Sequence, residues 1–227
     1  MTQRIAFLLF LLIVPLLAAE ARDSWVIAQY SEDMAEAQDA IDERVADNYV
    51  PTGLEVAEGS GISVLYVDRP FAERIGLTPG RARLVRLLGD DMQAVEEELN
   101  TLLADGWFPT DLSRTEDAFY LLLVDMPWQV QQWRFAYDMF SGDRVQAAIE
   151  LFEEDNMALS GISLYEGVQI WYLFVESSAW QPERLYFTSY ANDDQSIIEG
   201  FNADMAEGWV PAGFAVGTTA VTVQYVQ

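Results

Sequence analysis

The sequence predicts an α+β protein: four tandem β-α-β-β units of about 50 residues, each an antiparallel sheet with one helix packed on one face. Three observations carry this reading. A six-residue helix stop is written four times, an amphipathic helix precedes each stop, and a strand ending in Val follows it. That Val stands 17 or 18 residues beyond the large apolar residue of the stop in every copy.

The stops are Asn48-Tyr49-Val50-Pro51-Thr52-Gly53, Gly106-Trp107-Phe108-Pro109-Thr110-Asp111, Asn156-Met157-Ala158-Leu159-Ser160-Gly161 and Gly208-Trp209-Val210-Pro211-Ala212-Gly213. Each opens on Gly or Asn, the residues that tolerate the left-handed conformation ending a helix. In three copies a proline follows the large apolar residue by two positions and prevents the helix from resuming.

Upstream of each stop, apolar residues recur at helical spacing. Met34, Ala37, Ile41 and Val45 share one face, as do Met92, Val95, Leu99 and Leu102. The third set is Val145, Ala148, Ile149 and Phe152, and the fourth Ile197, Ile198, Phe201 and Met205. The opposite faces are polar, so each helix covers something apolar on one side. The helices begin at Ser31-Glu32-Asp33, Gly89-Asp90-Asp91, Ser141-Gly142-Asp143 and Asn192-Asp193-Asp194. These clusters read as N-caps, with carboxylates at the positive end of the helix dipole, rather than as acidic metal sites.

First strands are predicted at Trp25–Tyr30, Arg83–Leu88, Trp133–Met139 and Leu185–Tyr190. After each stop come a short strand, a polar turn and a closing strand. The turns hold Glu58-Gly59-Ser60-Gly61, Arg114-Thr115-Glu116-Asp117, Glu166-Gly167 and Gly217-Thr218-Thr219. The closing strands, Ile62–Val67, Phe119–Val124, Ile170–Val175 and Val221–Val226, are rich in β-branched and aromatic residues. The repeats therefore span 22–68, 83–125, 133–176 and 185–227, with linkers at 69–82, 126–132 and 177–184. Units this small are marginal alone. The expected solution is two pairs, copies one with two and three with four, each pair joining six strands into a continuous or barrel-like sheet.

The pattern of strand, amphipathic helix, Gly-Trp stop and strand hairpin resembles a family of short bacterial β-α-β-β proteins of unknown function. Gly106-Trp107 and Gly208-Trp209 match its turn directly, Asn48-Tyr49 is a conservative variant, and Asn156-Met157 is the most diverged. The resemblance implies a fold and carries over no catalytic residue.

Residues 1–21 read as a secretory signal peptide cut before Arg22, with an apolar run from Ile5 to Ala19. The run is shorter than the roughly 20 residues that cross a bilayer; an uncleaved short anchor is the alternative. Either reading puts the mature chain in the periplasm or outside the cell. No second long apolar run exists, so no integral membrane domain is expected.

Net charge is −25, and all 12 basic residues are Arg. Such a chain repels nucleic acid and anionic lipid. Without His, Cys or Lys it lacks the Ser-His-Asp triad, the Cys nucleophile, the usual zinc ligands, the Schiff base and the P-loop. No cofactor and no enzymatic activity are expected.

Two groups stand out in the links. Arg69, Arg74, Arg81, Arg83 and Arg86 fall within 18 residues. They read as an anion or acidic-partner site, or as internal neutralisation of neighbouring acidic helices. Phe71, Trp128 and Trp180 follow the closing strands, and Trp133 opens the third unit. They read as a stacking surface, or as covers where one unit docks on the next. The leading expectation is a non-catalytic extracytoplasmic scaffold that binds protein, itself or another envelope component. A small-ligand binder with a pocket between units is the alternative, and a carboxylate-dependent hydrolase the third.

Overall fold

The computed structural model describes residues 24–227 apart from Glu58, Asp90, Glu154 and Thr218, and at 142 and 151–153 the backbone alone. The expected signal segment, 1–21, lies outside the described residues. So do the Phe152 side chain expected on the third helix and the cap or turn positions Glu58, Asp90 and Thr218.

The four units form. Unit 1 is β1 (Trp25–Tyr30), α1 (Met34–Ala46), β2 (Tyr49–Ala57) and β3 (Gly61–Asp68). Unit 2 is β4 (Ala82–Leu88), α2 (Met92–Ala104), β5 (Trp107–Arg114) and β6 (Ala118–Asp125). Unit 3 is β7 (Gln132–Met139), α3 (Gly142–Glu153), β8 (Ala158–Tyr165) and β9 (Gln169–Glu176). Unit 4 is β10 (Leu185–Ala191), α4 (Asp194–Ala206), β11 (Val210–Val216) and β12 (Ala220–Val226). The link after unit 1 adds a helical turn, Arg69–Ala72, and a 3-10 turn, Glu73–Ile75, both too short to show periodicity.

Local chemistry sets the helix ends. The Asp33 carboxylate accepts the N–H groups of Ala35 and Glu36, Asp91 those of Gln93 and Ala94, and Asp193 that of Ser196. In α3 the Ser141 hydroxyl accepts from Arg144 N–H. A cap of this kind stabilises a helix by about 1 kcal/mol. At the other end Asn48, Gly106, Asn156 and Gly208 all take positive φ, between 58° and 97°, so the stop is conformational in every copy.

Each unit forms its own three-stranded antiparallel sheet, in the order first, third, second strand. The six-stranded sheets expected from pairing do not form. Instead each helix is wedged between its own sheet and the sheet of the next unit. Ala37, Ile41 and Val45 of α1 share a core with Ala82 and Leu84 of β4. Val95, Leu99 and Leu102 of α2 meet Trp133, Phe135 and Trp171 of unit 3. Val145 and Ile149 of α3 meet Leu185, Phe187 and Ala215 of unit 4. Phe201 of α4 meets Trp25, Ile27 and Leu65 of unit 1, which closes the ring.

The closure is specific. Trp25 lies 4.5 Å from Phe201, ring centroid to centroid, and its Nε1 donates to Asn202 Oδ1 at 3.0 Å. Trp133 Nε1 repeats that bond to Asn100 Oδ1 at 2.8 Å between units 2 and 3. The two asparagines stand six residues before their glycine stops, so the clamp is one repeat feature used twice. Pairing fails for a physical reason: both faces of every sheet are apolar, so each sheet needs a helix layer on both sides. A closed ring supplies that for all four units alike, whereas two pairs leave faces bare.

The second strands β2, β5, β8 and β11 line the ring axis and touch one another around it. Each carries a bulge at one repeat position, at Thr52, Thr110, Ser160 and Ala212. The next residue faces the axis: Gly53, Asp111, Gly161 and Gly213. A Cβ at Gly161 would lie 2.8 Å from Asp111 Cα, and one at Gly53 2.6 Å from the Phe214 ring. Of the four residues at this layer, Asp111 alone therefore sends a side chain into the axis.

Asp111 is fully buried. Its Oδ2 accepts Leu54 N–H at 2.7 Å and Phe214 N–H at 3.3 Å, and its Oδ1 accepts Leu112 N–H and Ile162 N–H, both at 2.9 Å. Those four residues occupy one repeat position, so a single carboxyl ties all four units together. Burial pushes this carboxyl up from its ordinary range, opposed by the four N–H bonds. One layer along the axis, Ser113 Oγ accepts Val56 N–H, Ser163 Oγ accepts Arg114 N–H, and Glu55 accepts Val216 N–H. These too run between neighbouring units.

Candidate functional site

Wedging a helix between two sheets leaves a groove on the rim, between the helix of one unit and the first strand of the next. Three such clefts are sizeable: about 560 Å³ at α1/β4, about 510 Å³ at α2/β7 and about 540 Å³ at α3/β10. They differ in what faces the outer edge of the first strand, where alternate N–H and C=O groups point away from the sheet.

At α1/β4 that edge is plugged. Gln38 Nε2 donates to Ala82 O at 3.0 Å and Gln38 Oε1 accepts Leu84 N–H at 2.8 Å. One amide side chain thus imitates a neighbouring strand. At α2/β7 the corresponding helix residue is Glu96, which cannot donate. Among the described residues no group bonds the outward N–H and C=O of Phe135 and Tyr137.

The α2/β7 groove is also the aromatic one. Trp133, Phe135 and Tyr137 alternate along β7 and so share a face. Ring contacts run from Trp133 to Phe135 at 5.2 Å, Phe135 to Phe119 at 5.1 Å, Phe119 to Trp171 at 5.1 Å and Trp171 to Tyr137 at 4.8 Å. Trp171 Nε1 is buried without an acceptor. Tyr137 is 64% exposed and Met92, across the groove, 38%. Beyond the groove the exposed apolar surface continues through Met139, Phe140 and Val168. Few large apolar side chains elsewhere on the described surface are as open.

The arginines of the first link do not converge. The Arg69 guanidinium donates to Pro79 O at 2.9 Å, and Arg74 lies over the Phe71 ring at 4.2 Å. Arg86 pairs with Asp117 at 2.8 Å and donates to the Tyr120 hydroxyl at 3.0 Å, which raises its already high pKa. Arg81 and Arg83 do share a place: both lie over the Trp107 ring and line the α1/β4 cleft. Arg81 is bound to Asp125 at 3.0 Å. Burial works against the charge on Asp125, but the Arg81 side chain and the N–H groups of Arg81 and Gly80 outweigh it and hold that carboxyl below its usual range.

The tryptophans also divide. Trp128 and Trp180 flank Phe108 edge-on at 4.8 and 5.0 Å, and Trp180 is buried. They cover the end of a core where links cross. Trp133 sits in the open groove. Of its neighbours there, Met92 is expected from the sequence only as part of an apolar helix face, and Phe135, Tyr137 and Trp171 are not among the expected site residues, although the aromatic alternation along β7 is a legible signal.

The carboxylates offer little chemistry. Glu55, half-buried at one end of the axis, has its pKa pushed up to about 8 by burial, against a weak bond from Val216 N–H. Among the described residues no three acidic side chains are placed to hold a metal ion, and no helix is long and apolar enough to cross a membrane.

No protein-family model matches this chain, and no curated protein does either.

Proposed function

We propose that this protein is a non-catalytic extracytoplasmic binding protein that takes an extended segment of a partner protein along β7. The observation that supports this is the open outer edge of β7 beside exposed Tyr137 in an aromatic groove. Backbone pairing gives such a site affinity, and pockets for alternate side chains give it selectivity. Charge narrows the partner: the net charge is −25, Glu96 lines the groove, and Arg134 beside it is paired with Asp155 at 3.4 Å, so the segment carries Arg or Lys alternating with aromatic or aliphatic residues. The extracytoplasmic placing rests on the apolar segment at the start of the chain.

The test uses synthetic peptides of eight residues, the length of β7, in basic-apolar and acidic-apolar alternation, followed by tryptophan fluorescence. The basic series is expected to bind with Kd of about 1–100 µM, to fail when alternate amides are N-methylated, and to weaken about tenfold with Tyr137→Ala. Equal binding of both series, or binding indifferent to N-methylation, overturns the proposal.

A second reading has its own observation: Arg81 and Arg83 over Trp107 suit a small planar carboxylate in the α1/β4 cleft. Calorimetry with benzoate on the wild type and Arg83→Ala separates the two. Heat lost in the variant supports the small-ligand reading, and no heat in either removes it.

A further inference from the structure

We infer that the ring axis is an anion-binding site of carboxylate class, whose ligand in this chain is tethered as the Asp111 side chain. Four donors define it: the N–H groups of Leu54, Leu112, Ile162 and Phe214, one from each unit, 2.7 to 3.3 Å from the two carboxylate oxygens. The bulge at the same position in all four second strands turns these groups inward, so the donor ring belongs to the repeat and not to Asp111.

The donors need an acceptor. A buried N–H left without one is costly, and a hydrogen bond to a charged group is stronger than one to a neutral group. Four such bonds offset part of the cost of burying a carboxylate. A neutral amide fits worse: it offers one oxygen to two donors and turns its own N–H groups toward the other two. Space admits only one ligand, because a Cβ at Gly53 or Gly161 meets neighbouring atoms at 2.6 to 2.8 Å. Three glycines and one aspartate at a single repeat position are therefore the composition of a four-donor site with one anion.

Removing the tether should leave a site for a free anion. In Asp111→Gly, sodium formate at tens of millimolar is expected to raise Tm saturably, by about 3 °C or more, with sulfate at matched ionic strength and the wild type as controls. Asp111→Asn, nearly the same size but uncharged, is expected to melt well below the wild type without formate rescue. Formate that stabilises Asp111→Gly no more than the wild type overturns the inference, and so does Asp111→Asn melting with the wild type. If Asp111→Gly folds under neither condition, the Asn variant decides.

Discussion

Asp111 and Ile162 are joined by a 2.9 Å hydrogen bond from the Ile162 N–H to the Asp111 carboxylate, between strands of neighbouring units that share no sheet. The bond requires β8 to approach β5 closely, and Gly161 makes that approach possible. Gly161→Ala would put a Cβ 2.8 Å from Asp111 Cα and from Leu112 N. These are backbone atoms and cannot rotate away, so the strands must separate. A loss of about 3 kcal/mol or more is expected in urea unfolding. Gly167→Ala, at a turn where a Cβ meets nothing within 4 Å but φ is positive, should cost only about 1 kcal/mol. Equal losses would show that the axis is not close-packed.

How much of this was legible in the sequence depends on the scale. The units were, because Asn48, Gly106, Asn156 and Gly208 are local conformational signals that act without tertiary context. The ring was not. Its signals are Tyr120-Leu121-Leu122-Leu123-Val124, an unbroken apolar run marking a strand buried on both faces, and Asp111 standing where three copies have Gly. The first reads equally as an ordinary strong strand, and the second as an ordinary polar loop residue. Only the donors from three distant segments give Asp111 its meaning. The five arginines are close in sequence yet dispersed, because β4 sends alternate residues to opposite faces and the link folds into short turns of its own.

Ring closure makes the two ends of the chain interdependent. Phe201 is fully buried and touches Trp25, Tyr190 and Tyr225. Phe201→Ala is expected to cost about 3–5 kcal/mol and to speed hydrogen exchange in β1 as much as in β10. If β1 stayed protected while β10 loosened, the two ends would be independent.

Glu55 gives a pH dependence with a definite sign. Its folded pKa, about 8, lies above the ordinary 4.5, so the folded state holds the proton more tightly than the unfolded state does. Its contribution falls as pH rises from about 4.5 to about 8, and is constant outside that window. Glu55→Gln keeps an oxygen for Val216 N–H and cannot ionise. The variant should match the wild type at pH 4 and exceed it by about 1–3 kcal/mol at pH 8.5. Parallel stability curves across that window would place Glu55 in water instead.

The contrast between Gln38 and Glu96 makes the groove proposal reversible by one atom. Gln38 closes the β4 edge with a donor and an acceptor, and Glu96, at the same repeat position, has acceptors alone. Glu96→Gln gives α2 the missing donor, and with the aromatic face of β7 untouched it should dock on the outward groups of Trp133 and Phe135 as Gln38 does on Ala82 and Leu84. Stability is then expected to rise by about 0.5–1.5 kcal/mol, while basic-apolar peptides lose affinity about tenfold or more. Glu96→Ala removes the same charge but supplies no plug. It separates the two causes: affinity lost in the glutamine variant and largely kept in the alanine variant identifies competition for the strand edge. Equal losses in both would instead mean that the peptides are held by the Glu96 charge, with the backbone of β7 taking no part.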